Sequence, residues 1–142
     1  MSAFDIPCHA FTARHASRHL SQFYESMISS SGLHAQQFTV LAIIKHKGPV
    51  TVLELAHELG MDRTTLARSL ALLERDGVIS ITSGKTDRRN KHIVITVHGD
   101  EKLAVASKMW QQAQDAFETR FGVERATRLR EELRAAAEVV AS

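Results

Sequence analysis

The 142-residue sequence predicts a mainly α-helical fold with a small antiparallel β-wing, and three observations lead to that prediction. Near both ends of the chain, apolar residues recur at intervals of three and four, the spacing of one face of an α-helix. In the middle, two short stretches with helix-start residues are separated by a glycine. Two runs rich in β-branched residues then flank a basic segment, as the strands of a hairpin do.

Composition and charge exclude some classes of protein without selecting one. The 44% hydrophobic content can supply a core, and with a net charge of only +2 any nucleic-acid site must rest on where the charges lie. No apolar run approaches the ~20 residues of a membrane span, and the first residues lack the basic-then-apolar order of a secretory signal. The single cysteine, Cys8, excludes an intrachain disulfide. We therefore expect a cytoplasmic protein.

Two helices are expected in the first third of the chain. After a loose arm over residues 1–8, the first helix runs from about residue 9 to 30 and ends at a Ser-Ser-Ser-Gly stretch. The second helix runs from about residue 34 to 46, where Gly48 and Pro49 stop it because proline cannot continue a helix. The apolar stripe of the first helix consists of Ala16, Leu20, Phe23 and Met27.

A pair of short helices follows, each opened by a capping residue. Thr51 and Glu54 have the spacing of a capping box, in which each side chain bonds the backbone N–H of the other residue. Gly60 breaks this third helix, and the carboxylate of Asp62 can cap the fourth. A helix, a turn around a glycine and a second capped helix form the helix-turn-helix pattern.

The fourth helix has two different faces when its residues are placed at ~100° intervals. Leu66, Leu70 and Leu73 fall on one side and are expected to pack inward. The opposite side is cationic, hydroxylated and small, with no bulky apolar group. Such a face can enter a DNA major groove, which is ~12 Å wide.

This outward face supplies the first set of candidate DNA contacts. Arginine can bond guanine through two hydrogen bonds, and threonine can contact bases or phosphates. We expect Arg68, Thr64 and Thr65 to contact bases or nearby phosphates. We expect Arg63 and Arg75 to contact mainly phosphates. The alternative is an ordinary solvated helix face that carries a few arginines.

A β-ribbon with a basic tip is expected next, with strands over residues 78–82 and 92–97. The segment between them holds four basic residues against one acid, Asp87, which gives it a local net charge of +3. Such a tip beside a recognition helix suits the neighbouring minor groove or phosphates, whereas the alternative is an ordinary charged turn. The four basic residues are Lys85, Arg88, Arg89 and Lys91.

Two long helices complete the chain. Thr96 can cap one over about residues 97–119, and the other covers about 124–141. Their apolar stripes are too extensive for the core of one chain to cover, so a helical dimer interface is expected. Within one compact structural domain we expect three parts: an N-terminal arm and dimerisation helix (1–30), a winged helix-turn-helix domain (31–97) and C-terminal dimerisation helices (98–142).

Three segments together resemble the MarR (multiple antibiotic resistance regulator) family of bacterial winged-helix repressors. They are GLHAQQFTVL (32–41), LAHELGMDRTTLARSLALLERDGVI (55–79) and TDRRNKHIVITVHG (86–99). The resemblance implies a homodimer that binds palindromic sites on double-stranded DNA, with the recognition helices in successive major grooves. It also implies that Arg89, at the arginine of the family's Asp-x-Arg motif, reaches the minor groove and that Asp87 holds it through an ion pair. For Asp87 the alternative is simple turn-forming acidity.

One departure from the family pattern concerns the start of the second helix. Family members often have Thr or Ser at that cap, whereas this chain has His34. Histidine is a weaker cap, so this helix start is expected to respond to pH or to a ligand.

The resemblance further implies an effector, since family members lose DNA affinity when a small phenolic or aromatic molecule, an oxidant or a metal binds. The first helix and the only tryptophan hold candidate ligand-binding residues that could take an aromatic carboxylate. Alternatively, they are polar groups of a dimer interface and core aromatic residues. They are Phe11, His15, Arg18, His19 and Trp110.

Two further sensing modes stay open. Cys8 could act as a thiolate ligand or an oxidisable switch. No second cysteine can resolve a sulfenic acid within the chain, so a disulfide would have to form between the Cys8 residues of a dimer. His15 and His19, four residues apart, have the spacing of metal ligands, although the eight histidines are spread along the chain and we expect no resident metal or cofactor.

Two other classes of function compete with a DNA-binding regulator. A winged-helix domain can serve as a protein-interaction module without DNA binding, which predicts no affinity for duplex DNA. An enzyme is not expected, because the sequence has no glycine-rich phosphate loop, no nucleophile motif and no paired carboxylates placed for catalysis.

Overall fold

Six α-helices, a short 3-10 turn and one three-stranded sheet form in residues 5–83 and 91–141, which are the residues that the computed structural model describes. The mainly helical fold with a small antiparallel wing is thereby confirmed, and each predicted helix is present within a few residues of its predicted bounds. The elements in chain order are α1 (His9–Ile28), the 3-10 turn (Ser29–Ser31), α2 (Ala35–Lys47), β1 (Val50–Thr51), α3 (Val52–Leu59), α4 (Arg63–Arg75), β2 (Ile79–Ser83), β3 (Lys91–Ile95), α5 (Val97–Phe121) and α6 (Val123–Val140).

The wing differs from the prediction because its sheet has three strands where a two-stranded ribbon was expected. β3 lies in the centre, with β2 antiparallel on one side and β1 antiparallel on the other. In the β1–β3 pair, Val50 lies opposite Ile93 and Thr51 opposite His92. A two-residue strand is too short to show an alternation of apolar and polar residues, so no sequence pattern indicated β1.

The core of the winged part lies between α2, α3, α4 and the sheet. Its largest fully buried side chains include Leu41 of α2, Leu55 of α3, Leu66 and Leu73 of α4, and Ile93 of β3. The central strand therefore contributes its inward side chain to the same core as the helix pair, and helices and sheet hold each other in place.

The terminal helices are covered less completely. α6 buries Ala126 among its described residues, whereas Leu133, Val139 and Val140 are 48%, 77% and 80% exposed. The exposed surface of α6 therefore carries large apolar side chains among its charged residues. None of the helices in the described part of the chain is long and apolar enough to cross a membrane.

Candidate nucleic-acid interface

The start of α3 is fixed by the capping box that its sequence predicts. The hydroxyl of Thr51 accepts a hydrogen bond from the backbone N–H of Glu54 at 3.1 Å, and the Glu54 carboxylate accepts one from the Thr51 N–H at 3.3 Å. Gly60 ends the helix at φ 63°, a left-handed conformation that glycine adopts without strain. The turn between the two short helices is thus set by local chemistry at both ends.

Asp62 caps α4, again as predicted, and also holds a threonine hydroxyl. Its carboxylate accepts from the Thr65 backbone N–H at 2.7 Å and from the Thr65 hydroxyl at 2.9 Å. The Thr65 backbone hydrogen bond is the main cause that lowers the pKa of Asp62 below its usual value. Because its hydroxyl proton is used in this bond, Thr65 can offer only its oxygen lone pairs to a base or phosphate group.

The two faces of α4 separate as the sequence predicts, except that Leu72 is 45% exposed, whereas no bulky apolar group was expected on the outer side. Leu66, Leu70 and Leu73 are at most 2% exposed and join the core. The outer face carries exposed positive, hydroxyl and methyl groups on one rigid helix, which is the chemistry that a major groove can accept. Its exposed residues include Arg63, Thr64, Thr65, Ala67, Arg68, Ala71 and Arg75.

The far end of α4 is bound to the start of α5. Thr96, the cap of α5, accepts from the Gly99 N–H at 3.0 Å and donates its hydroxyl proton to the Gly77 carbonyl at 2.6 Å. Its backbone N–H donates to the Val78 carbonyl at 3.1 Å. The sequence predicted the cap but not the two bonds to the residues after α4, which join the end of α4 to the start of α5.

Gly99 makes this junction close. A Cβ atom at Gly99 would lie 2.1 Å from the Val78 carbonyl oxygen and 2.8 Å from the Ile95 side chain. The first turn of α5 therefore touches the backbone behind α4, and only a residue without a side chain allows that approach.

The wing is described only in part. Lys91 is exposed at the first position of β3, opposite Ser83 of β2. It borders a groove of about 410 Å³ between α4 and the strands, together with Ala67, Ala71 and Glu74. The other predicted wing residues, Lys85, Asp87, Arg88 and Arg89, lie outside the described residues, so their roles stay predictions.

The candidate ligand-binding residues of the first helix form a row on α1. The rings of Phe11 and His15 lie 6.2 Å apart and those of His15 and His19 lie 4.6 Å apart, while Arg18 is exposed nearby in sequence. Trp110 is held elsewhere, stacked on Phe38 of α2 at 6.0 Å.

Trp110 borders a cavity of about 1040 Å³ between α1, α2 and α5. None of the four candidate residues of α1 lines that cavity in the described part of the chain. Their role in binding a ligand therefore stays a prediction.

Cys8 lies at the start of α1, where a loose arm was expected to end. It is the N-cap residue of this helix, its sulfur accepts a hydrogen bond from the Phe11 N–H at 3.5 Å, and it is exposed. The thiol is thus accessible, while its backbone is part of a helix start.

The sequence did not reveal the link between α1 and α2. Glu25 of α1 accepts a hydrogen bond from the backbone N–H of Ala35 at 2.7 Å, and its other carboxylate oxygen lies 2.8 Å from Nδ1 of His34. The Ala35 bond, followed by the His34 bond, lowers the pKa of Glu25 below its usual value. The cap that His34 was expected to provide only weakly is supplied from another helix, and Gln37 adds a bond from the His34 N–H at 2.9 Å.

Comparison with known sequences and structures identifies this architecture. The model of the MarR family matches residues 33–91. The crystal structure of the M. tuberculosis transcriptional regulator MosR superposes on this chain with a TM-score of 0.80 and 35% sequence identity. The match covers 96% of this chain and 99% of the MosR chain. The regulator PcaV of Streptomyces coelicolor, 19% identical, shares the fold over 100% of both chains with a TM-score of 0.86.

The curated relatives match a smaller part of this chain than MosR does, and at lower sequence identity. YwoH, an uncharacterized HTH-type transcriptional regulator of Bacillus subtilis, is 31% identical over 50% of this chain and 51% of its own. HTH-type regulators of Staphylococcus aureus are 23% identical over 65% of this chain, and the chain spans 63% of their length. From the matched helix-turn-helix and the full-length likeness to MosR, the chain belongs to the MarR family of transcriptional regulators.

Proposed function

We propose that the chain is a sequence-specific DNA-binding transcriptional regulator that acts as a homodimer on palindromic operators. The observation that carries this proposal is the outer face of α4, which is exposed, cationic and fixed at both helix ends. A reading helix must keep its position relative to the body of the protein if its side chains are to select bases. A structure of MosR in complex with DNA has been solved, and the MosR chain in it is 36% identical to this chain.

Each exposed residue of this surface has a proposed part. Arg68 and Thr64 reach base edges, and Thr65 accepts hydrogen bonds near them because Asp62 holds its proton. Basic side chains at the two ends of α4 and on the wing neutralise phosphates. Arg89, held by an ion pair with Asp87, enters the minor groove. The residues proposed for phosphates are Arg63, Arg75, Lys85, Arg88 and Lys91.

The experiment that tests this function first selects bound fragments from a genomic library and then compares two variants on the selected site. Arg68→Ala should lose sequence preference at one base step, because direct readout of a base by arginine contributes ~1–3 kcal/mol. Arg89→Ala should weaken binding to all sequences and lower the salt dependence by about one phosphate contact. Arg128→Ala, an exposed arginine of α6, is the matched control and should leave the selected motif unchanged.

Failure to bind any duplex fragment would overturn the proposal and favour a protein-interaction role for the winged domain. An unchanged motif for Arg68→Ala, together with wild-type affinity, would remove Arg68 from base readout.

The dimer is supported by the uncovered apolar surface of α6. Leu133 and Val140 are exposed seven residues apart, which places them on one face of the helix, and Val139 is exposed beside them. A second copy of the same helix can cover this face. Two recognition helices held at one separation would match two half-sites of a palindrome.

We further propose that the chain is a repressor that a small aromatic effector releases from DNA. The support is the cavity between α1, α2 and α5, whose wall includes the stacked pair of Phe38 and Trp110. Among proteins of this fold, PcaV was solved with its natural ligand, and 6-hydroxynicotinic acid regulates DNA binding of BpsR of Bordetella bronchiseptica. Oxidation of Cys8 and metal binding are separate sensing modes, which oxidants and metals would reveal in the same release assay.

A further inference from the structure

The cavity beside Trp110 has a charge pattern that selects among small aromatic ligands. Its volume of about 1040 Å³ slightly exceeds the roughly 300–1000 Å³ that ligand cavities have. Phe38 and Trp110 stack with ring centroids 6.0 Å apart and supply an aromatic wall. The space is therefore suited in size and lining to a molecule of one or two rings.

Glu25 is the only residue with a formal charge among the described residues that line this cavity. The other polar groups on its wall are amides and hydroxyls, including Gln22, Gln36 and Thr39, with no lysine, arginine or histidine among the described ones. A carboxylate ligand would meet no cationic side chain among the described residues of the wall, and the negative charge of Glu25 would repel it. An aromatic molecule with a cationic N–H donor would instead be attracted by Glu25 and could form a charge-assisted hydrogen bond with its carboxylate.

The carboxylate of Glu25 is held in a fixed place for such a ligand. One oxygen accepts from the Ala35 N–H at 2.7 Å and the other lies 2.8 Å from Nδ1 of His34. These bonds favour the ionised form, so the group carries its charge at neutral pH. Each carboxylate oxygen has a second lone pair, so Glu25 can receive a further donor from the cavity side.

The same carboxylate ties two parts of the fold together. It belongs to α1, whereas the N–H that it accepts opens α2, and α2 places Leu41 and Ile44 in the winged core. A cationic donor bound to the second lone pairs pulls the carboxylate toward the cavity and so lengthens the bonds of the same oxygens to Ala35 and His34. The start of α2 then loses its cap from α1, and the position of α1 relative to the winged part is no longer held by this bond.

We propose that this cavity binds a small aromatic cation, such as an amidinium or a protonated amine, with the charge on Glu25 and the ring against Phe38 and Trp110. Binding draws Glu25 away from the start of α2 and lowers the affinity for DNA. Only this last effect rests on the proposed regulatory function, since the ligand site itself follows from the walls of the cavity. The aromatic carboxylate that the sequence suggested would be the weaker ligand.

Three ligands with one ring and different head groups test the charge preference. Benzamidine is cationic, benzamide is neutral and benzoate is anionic, and all three are of similar size. Trp110 is the only tryptophan of the chain, so its fluorescence reports binding, with calorimetry as the second measurement. Titrations at a pH of about 8 keep free imidazole neutral.

Benzamidine should bind about tenfold or more tightly than benzamide, as one charge-assisted hydrogen bond implies, and benzoate should bind most weakly. Benzoate binding as tightly as benzamidine to the wild-type chain would overturn the proposal. This arm needs no variant, so it decides even if a substitution impairs folding.

Two charge-removing variants locate the site. Glu25→Gln keeps an oxygen that can accept from Ala35 but loses the charge, and it should abolish the preference for benzamidine over benzamide. Glu58→Gln is the matched control, because Glu58 lines a neighbouring cavity of about 550 Å³ that also includes Phe38 and Trp110. A loss of preference with Glu58→Gln but not with Glu25→Gln would overturn the assignment to Glu25.

A DNA-binding arm separates this proposal from the proposed function. Benzamidine should weaken binding of the wild-type chain to its selected operator about tenfold or more and leave Glu25→Gln unaffected. Glu25-dependent binding of benzamidine by a chain that binds no DNA would support the site and overturn the regulator. Operator binding by a chain that takes up none of the three ligands would support the regulator and overturn the site, and ligand binding without release would overturn the coupling through Glu25.

Discussion

Thr96 is a single residue that stabilises the ends of two helices. Its hydroxyl accepts from the Gly99 N–H inside α5 and donates to the Gly77 carbonyl behind α4. Most caps satisfy one helix end, whereas this one also satisfies a carbonyl after the recognition helix. A loss at this position should therefore affect stability and DNA binding together.

Thr96→Val keeps the shape of the side chain and removes both bonds. It should lower the free energy of unfolding by about 1–2 kcal/mol, the usual effect of losing a helix cap, as measured by urea denaturation. Thr127→Val is the matched control, because the Thr127 hydroxyl donates to the Val123 carbonyl within its own helix. That bond contributes little, so the control should change stability by less than about 0.5 kcal/mol. Equal effects of the two substitutions would contradict the role of Thr96 as a double anchor.

Glu25 should make the stability of the folded chain depend on pH in the acidic range. Its pKa in the folded chain is lowered from the usual 4.5 by the bonds from Ala35 and His34. The ionised form of Glu25 therefore stabilises the folded chain fully at pH values above the usual pKa, which applies to the unfolded chain. This stabilisation is lost as the pH falls through the lowered pKa of the folded chain. Thermal unfolding followed from neutral pH downward should show a midpoint that falls once the pH drops below the usual value of 4.5.

Glu25→Gln should flatten this acid limb, since the amide does not titrate. Glu101→Gln, an exposed acid of α5, should give a curve parallel to that of the wild type. An acid limb of Glu25→Gln as steep as the wild-type limb would show that the bridge between α1 and α2 contributes nothing to this pH dependence.

The contact between α4 and α5 depends on the absence of a side chain at Gly99. Replacing an interior helix glycine by alanine ordinarily stabilises a helix by roughly 1 kcal/mol. Here the added methyl group would lie 2.1 Å from the Val78 carbonyl oxygen, and a backbone atom cannot rotate away.

Gly99→Ala should consequently reverse the ordinary sign and lower the free energy of unfolding by about 1–3 kcal/mol, as overpacking does. His98→Ala, at the exposed neighbouring position, is the control and should leave the urea midpoint nearly unchanged. A more stable Gly99→Ala would mean that α5 does not approach the backbone behind α4 this closely.

The helices could be predicted from the sequence because their start signals are local. Thr51, Asp62 and Thr96 each act on an N–H three residues ahead, so the spacing alone reveals them. The inward face of α4 follows from its period in the same way. The outer face of that helix, which is the surface proposed to contact DNA, was therefore predictable from the sequence apart from the exposed Leu72.

Contacts between distant elements could not be predicted in that way. The pairing of β1 with β3 joins Val50 to Ile93, and a two-residue strand has no pattern to recognise. The carboxylate of Glu25 reaches Ala35 only because α1 and α2 meet at a particular angle after the turn at Ser29–Ser31. The resemblance to a family suggested a ligand site near Trp110, but the charge of that cavity depends on which side chains the packing brings together.

The arrangement of the whole molecule leaves large apolar side chains of α6 uncovered, and we propose that a second copy covers them. Leu133 is 48% exposed on this face. Leu133→Glu places a charge there, and burying it in a helical interface would be costly. At micromolar concentration we expect the wild-type chain to sediment as a dimer and this variant to sediment as a monomer. The variant should also lose affinity for a palindromic site, because it can contact only one half-site at a time.

Val97→Glu is the matched control for this change. Val97 is 78% exposed at the first position of α5, so the control introduces the same charge on an apolar site outside the proposed interface. It should sediment as the wild type does. A wild-type chain that sediments as a monomer, or a Leu133→Glu variant that remains dimeric, would contradict the assignment of α6 to the interface.

The central position of β3 has a consequence for how the molecule opens. Its pairing with β1 closes a loop that contains α3, α4 and β2, so the helix pair cannot leave the body unless this sheet separates. Closing a loop of that length costs only slightly more entropy than closing a short one, and the closed loop joins its contents into one cooperative unit. Amide hydrogens of α4 and of β3 should thus exchange with solvent through the same opening event. We therefore expect α4 to be as protected from exchange as the sheet behind it, because fraying at its ends would not separate it from the rest of the fold.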